Sequence, residues 1–264
     1  MDKDALEAML RKEDCPPFIE TRETVMNLNG QRIIILGGTS GIGLATAQAA
    51  AAEGAEIVIA SSRQAKVDEA LATLPANATG HELDLTDEAS VRALFAGLGE
   101  FDHLVFTAGE SLQLATLEET QMTSAHRFFE LRYWGAYMAA KYGAPGIRKG
   151  GSIVFSSGLA GSRPHPGWSL GASICAAMEG LTRALAMELA PIRVNIVSPG
   201  VVRSPLWSNM SEADREGLYR TMAETLPVGH VGEVEEIAQA FLYLMRQTYG
   251  TGHVLNVDGG GMLA

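Results

Sequence analysis

From Gln31 onward the chain alternates two patterns. Short apolar runs, "RIIIL", "EIVIA", "DHLVF", "GSIVFSS" and "IRVNIVS", carry few polar positions, as strands covered on both faces do. Between them lie stretches of helical period: the Ala-rich segment after "GGTSGIG", then "SRQAKVDEALATL", "TDEASVRALFAGL", a long region 118–143 and another from about residue 170. With "GHELD" and a terminal "HVLNV" the strands number seven. Strand, turn and helix repeated in this order predict an α/β domain: a doubly wound three-layer sandwich whose seven-stranded parallel sheet is built by right-handed crossovers. Residues 1–29 stand apart as an N-terminal extension, in which "DALEAMLRKED" places Leu6, Met9 and Leu10 on one helical side before "CPP" breaks the pattern. The domain proper is read as 30–264, with no linker inside it.

The bulk numbers narrow the partners. At 264 residues, with 47% hydrophobic and 19% charged residues, the chain has an ordinary globular composition for one domain. A formal net charge of −11 argues against nucleic acid and against an anionic membrane, and leaves a small molecule as the expected partner. Only Cys15 and Cys175 occur, too few for a disulfide framework or a metal cluster, so no metal is expected. No long apolar segment opens the chain and no run of 18 apolar residues occurs, which reads as a cytoplasmic protein that does not enter a membrane.

"GGTSGIG", residues 37–43, follows an expected strand and opens an expected helix. In that setting Gly37 allows a tight turn, Gly41 lets the backbone approach a pyrophosphate, and Gly43 lets the helix pack closely, with Thr39, Ser40 and Ile42 completing the turn. The helix N-terminus then faces the phosphates.

With these motifs in order, residues 30–260 resemble the short-chain dehydrogenase/reductase family, which implies a Rossmann-type fold. "LDLTD" matches the segment whose Asp contacts adenine, here Asp84 with Leu85 beside it. "FTAGE" matches the Asn-Asn-Ala-Gly motif at Thr107, Ala108 and Gly109. "SPG" supplies Pro199 and Gly200, Val202 and Ser204 follow, Ser204 in the usual Thr position, and "VDGG" closes the match. The second strand ends "ASSR", so Ser61, Ser62 and Arg63 stand where an acid would bind the ribose 2′-hydroxyl of NAD. A guanidinium fork beside hydroxyls suits a 2′-phosphate, and the expected cofactor is NADP(H).

The resemblance also exposes what is missing. Ser157 matches the family's catalytic Ser. The Tyr position falls on Gly171, the Lys position on Cys175 and the Asn position on Arg132. No shift of register restores the pair: the last lysine is Lys149, and no tyrosine lies between Tyr142 and Tyr219. A phenol whose pKa is lowered by an ammonium is therefore not available as the acid. Ser157 can still polarise a carbonyl oxygen, and Arg132 can return a cation as stabiliser or substrate anchor. His165 titrates near neutrality and is a candidate to reach the site, its other reading being an exposed loop residue. Glu110 is either a pocket acid or a solvated loop residue, and Cys175 reads as a small buried residue.

Two functions follow. One is an atypical NADP(H)-dependent oxidoreductase that reduces a carbonyl, imine or enone of a small molecule without the usual acid. The other is a catalytically inactive NADP(H)-binding protein acting as a sensor or non-catalytic subunit. Family members pair their two long helices, here 118–143 and 170–189, which implies a homodimer or homotetramer.

Overall fold

The computed structural model describes residues 27–112 and 114–264; the expected helix of the N-terminal extension, and Cys15, lie outside them. Seven parallel strands form one sheet: β1 (Arg32–Leu36), β2 (Glu56–Ser61), β3 (Thr79–Glu82), β4 (Phe101–Phe106), β5 (Ile147–Ser156), β6 (Arg193–Pro199) and β9 (Val254–Val257). Their spatial order is β3-β2-β1-β4-β5-β6-β9. The order reverses between β1 and β4, and such a switch point opens a crevice beyond the C-terminal ends of the strands.

The apolar runs are explained by two cores. Ile34, Leu36, Phe106 and Phe155 point to one face, under α3 (Glu88–Leu98), α5 (Gly135–Gly143) and α6 (Ser169–Glu188). Their neighbours Ile33, Ile35, Val105 and Val154 point to the other, under α1 (Gly41–Ala52), α2 (Gln64–Leu71) and α8 (Val234–Arg246). Alternate side chains of each strand thus serve opposite layers, which is why polar positions are scarce.

A third, smaller core of Val201, Trp207, Tyr219, Leu226 and Val231 lies beneath α7 (Glu212–Thr225). A short parallel pair not expected from the sequence, β7 (Val202–Arg203) with β8 (Gly232–Glu233), closes its edge. Two residues per strand are too few to leave a periodic signal.

Polar residues are also buried beneath the sheet. His103 is enclosed, with Nδ1 2.8 Å from Ser152 Oγ and Nε2 2.5 Å from Gln31 Oε1. Burial, with Arg193 nearby, pushes its pKa down to about 3. Arg193 donates to the carbonyls of Leu244 at 2.7 Å and Met245 at 2.9 Å, satisfying the last turn of α8.

The expected helix over 118–143 is two helices. Thr116 and Glu119 bond each other's backbone and side chains in a turn, so α4 begins only at Met122 and runs to Phe129. A π-turn at Glu130–Trp134, with Gly135 N–H donating to Glu130 O, separates it from α5. The third strand ends earlier than expected because Asp84 accepts from the Thr86 N–H at 2.8 Å and hydroxyl at 2.7 Å, forming a local turn.

Candidate active site

The glycine-rich turn is built by close approach. Gly37 has φ +90°, and a Cβ there would lie 2.5 Å from Ala108 N. At Gly43 a Cβ would lie 2.2 Å from Gly37 O and 2.5 Å from Thr107 Oγ1, so neither position can hold a side chain. Gly41, at φ +52°, opens α1 beneath Pro205 and Ser204. The exposed N-cap Ser40 makes no side-chain bond to α1, and the first turn holds no acid. The positive end of the helix is thus not compensated by a side chain, and a turn with glycine at 37, 38 and 41 leads into it, a setting that fits a dinucleotide diphosphate.

Around this turn lie the other expected cofactor residues. Ser61 ends β2, and Ser62 and Arg63 are exposed just beyond it, with Arg63 at the N-cap of α2. Asp84 is exposed and Leu85 buried. Gly200 follows Pro199 and packs on Asp258, whose Cα would lie 2.9 Å from a Cβ at 200, joining "SPG" to "VDGG". Thr39 and Ile42 are half-buried on the turn, and Val202 is buried.

Beside the crevice, at the ends of β4 and β5, lies a cavity of about 40 Å³ lined by Thr107, Ala108, Arg132, Ser157, Cys175 and Met178, among others. Arg132 reaches it from the π-turn. Its guanidinium stacks over Phe128 at 4.7 Å, donates to Glu110 O, and fits only because residue 109 is glycine: a Cβ there would be 2.6 Å from Arg132 Cζ. Its Nε is buried without a partner. Burial lowers the Arg132 pKa, and the neighbouring Cys175 and Glu110 oppose that shift. Ser157 Oγ has two acceptors on α6, Cys175 O at 3.3 Å and Glu179 Oε1 at 3.5 Å. Burial pushes the Cys175 thiol up, against the Ser157 hydrogen bond and the Arg132 charge. The thiol is therefore a neutral, half-buried group near pH 7.

The structure thus brings Ser157 and Arg132 together and leaves His165 out. His165 is exposed, packs edge-on against Trp168 at 5.0 Å, and does not line the cavity; its carbonyl takes the Trp168 N–H in a turn that holds the ring to the outside. Glu110 turns to Arg127 at 2.9 Å. Gly171 is buried, and a Cβ there would sit 3.6 Å from Leu112 Cδ2. A side chain at 171 would thus begin in ordinary van der Waals contact with Leu112. Leu112 is held by its own N–H to Leu206 O at 3.1 Å, while Ser111 meets Ser208 at 2.8 Å and Ala115 N–H bonds Gly167 O at 3.1 Å. No periodic signal marks Leu112 or Glu179, because tertiary placement alone brings them beside Gly171 and Ser157.

Among the described residues no cluster of His, Cys, Asp and Glu could hold a metal ion, and no helix is long and apolar enough to cross a membrane. Residues 37–261 match a family model described as Enoyl-(Acyl carrier protein) reductase. A relative from Stachybotrys chlorohalonatus, "Short-chain dehydrogenase/reductase ATR9", is 35% identical over 89% of this chain and 98% of its own. Among solved structures, a small-chain dehydrogenase in complex with NADPH is 35% identical, with TM-score 0.76 over 89% of this chain and 100% of its own. The MalC Reductase/Diels-Alderase from Malbranchea aurantiaca is 31% identical, with TM-score 0.83 over 90% of this chain and 98% of its own.

Proposed function

Because this chain belongs to the short-chain dehydrogenase/reductase family of oxidoreductases, we propose that it reduces a carbonyl, or a related imine or enone, of a small molecule with NADP(H), using Ser157 and Arg132 in place of the Tyr and Lys. The observation that carries this reading is that a hydroxyl and a buried guanidinium face one cavity beside the glycine-rich turn. NADPH supplies the hydride when bound; the similar small-chain dehydrogenase in complex with NADPH supports that choice of cofactor.

The chain's own residues would do the rest. The N-terminus of α1, with Gly37, Gly41 and Gly43, holds the diphosphate, and Arg63 with Ser61 and Ser62 reads the 2′-phosphate. Ser157 donates to the substrate oxygen, and Arg132 stabilises the negative charge that grows there. Its guanidinium suits that task because it bonds a backbone carbonyl rather than a carboxylate, so its charge is not neutralised by a direct ion pair. Reduction is favoured over alcohol oxidation because the family's phenolic base is absent at Gly171. His165 has no part in this assignment.

The test is NADPH consumption with a panel of carbonyl, imine and enone compounds. Arg132→Met, which keeps length and removes charge, should lower kcat/KM by about 10- to 150-fold, equivalent to about 1.5–3 kcal/mol for a charge-assisted hydrogen bond. Tight NADPH binding without turnover across the panel would instead establish a non-catalytic binder.

A further inference from the structure

The wall of the cavity at the ends of β4 and β5 is neutral except at one point. Apolar Ala108, Ile174 and Met178 and uncharged Ser157 and Cys175 line it, and among the described residues Arg132 is its only ionised member. The neighbouring carboxylates are engaged elsewhere. Glu110 meets Arg127 at 2.9 Å, Glu179 lies behind Ser157 with Arg183 at 4.0 Å, and neither lines the cavity.

The guanidinium is fixed before any ligand arrives. It lies over Phe128 at 4.7 Å, donates to Glu110 O, and occupies the space that a Cβ at position 109 would take, 2.6 Å from Cζ. Its Nε is closed off from solvent and has no hydrogen-bond partner. A cation that has lost water on one edge and meets only neutral groups gains most from an anion set against its remaining N–H bonds. The cavity, about 40 Å³, has room for about three waters, the scale of a compact anion such as a carboxylate.

Resting on the reductase reading, we propose that the substrate is an oxo acid, with its carboxylate on the carbonyl carbon or one carbon further. The carboxylate docks on Arg132, and the carbonyl oxygen accepts from the Ser157 hydroxyl. The spacing follows from the cavity: the guanidinium and the hydroxyl share one small wall, so the substrate oxygens they hold are close neighbours in the molecule. A planar guanidinium offers parallel N–H bonds to a carboxylate. Because that carboxylate sits beside the carbonyl, the same cation also meets the negative charge that grows on the carbonyl oxygen. Ketones, imines and enones without the anion forgo the anchor.

Isothermal titration calorimetry reads this site without turnover. 2-Oxobutanoate, 3-oxobutanoate and, as neutral control, butanone are titrated into the protein with and without NADP⁺. At least one oxo acid should bind about 10- to 150-fold more tightly than butanone, the range of a charge-assisted hydrogen bond. Arg132→Met should abolish that margin, Arg132→Lys, which keeps the charge, should retain part of it, and the Kd for NADP⁺ should be nearly unchanged in both. No margin for either oxo acid in wild type overturns the proposal. So does a loss in Arg132→Met that falls mainly on NADP⁺, which would make the residue a cofactor anchor. In NADPH consumption the preferred oxo acid should exceed its methyl ester in kcat/KM by a similar factor. An ester reduced as well as the acid overturns the substrate class and leaves the reductase reading standing. Tight, Arg132-dependent binding of an oxo acid that is never reduced upholds the anion site and sinks the reductase reading instead.

Discussion

Acid should destabilise this protein through His103 in a way that can be calculated. The imidazole is buried between Ser152 and Gln31, and its pKa falls from 6.5 to about 3 on folding. A depressed histidine pKa means that the unfolded chain binds the extra proton. Stability is then complete above pH 6.5 and is lost as pH falls from there toward 3. One pH unit of that window is worth about 1.4 kcal/mol, so between about pH 8 and pH 5 the residue alone should remove about 2 kcal/mol. The geometry fixes the cause: neutral His103 donates from Nε2 to Gln31 and accepts the Ser152 hydroxyl at Nδ1, and a second ring proton would remove that acceptor. Urea unfolding from pH 5 to 8, compared between wild type and His103→Gln, separates this residue from the carboxylates. The variant is expected to be less stable at pH 8 and to show a pH slope shallower by nearly one proton below pH 6. Parallel curves for the two proteins would refute the reasoning, because the histidine would then titrate alike folded and unfolded.

Other outcomes follow from the site. Arg63→Ala should weaken NADPH by about 1–3 kcal/mol and NADH far less, measured by fluorescence titration; equal losses would show that Arg63 does not read the phosphate. Rebuilding the family pair as Gly171→Tyr with Cys175→Lys should not raise turnover, because a phenol packed beside Leu112 would crowd the pocket; a large gain would overturn the role given to Arg132. Leu112→Ala should instead admit bulkier ketones, seen as a lower KM for them in the NADPH assay. Trp134 and Tyr137 are exposed on the π-turn and α5, as is Met187 on α6, so light scattering should find a homodimer or homotetramer that Trp134→Glu converts toward monomer.

The sheet can be read from the sequence because its strands answer to one constraint, burial on both faces, and that constraint writes itself into consecutive residues. Ile33 and Ile34 serve opposite cores, and both must be apolar. The glycine-rich turn is equally legible, since a Cβ at Gly37 or Gly43 has no room. What escapes a sequence reading depends on contacts between distant segments. Leu112 looks like any loop leucine until Gly171 is placed beneath it, and Glu179 looks like the polar side of a helix until Ser157 arrives from β5. His165 stands out for its chemistry, but the turn to Trp168 points it elsewhere. Arg132 lies between these cases: Ala125, Phe128 and Ala136 are buried, and at spacings of three and four the arginine occupies a position of that inward stripe. A charge in such a position is the visible sign.

The π-turn separates the chemistry from the scaffold. An α-helix advances about 100° per residue, and the wide turn between Glu130 and Gly135 takes up one residue without passing that rotation on to α5. Gly135, Ala136, Ala139 and Ala140 are all buried against the sheet, and a Cβ at position 135 would lie 3.2 Å from Leu85 O. Removing that residue would restore a regular helix and leave those four small residues against the sheet, while taking away the bulge that presents Arg132. A single deletion there reshapes the cavity wall and spares the core, so the presentation of the guanidinium is a local property of five residues, Glu130–Trp134.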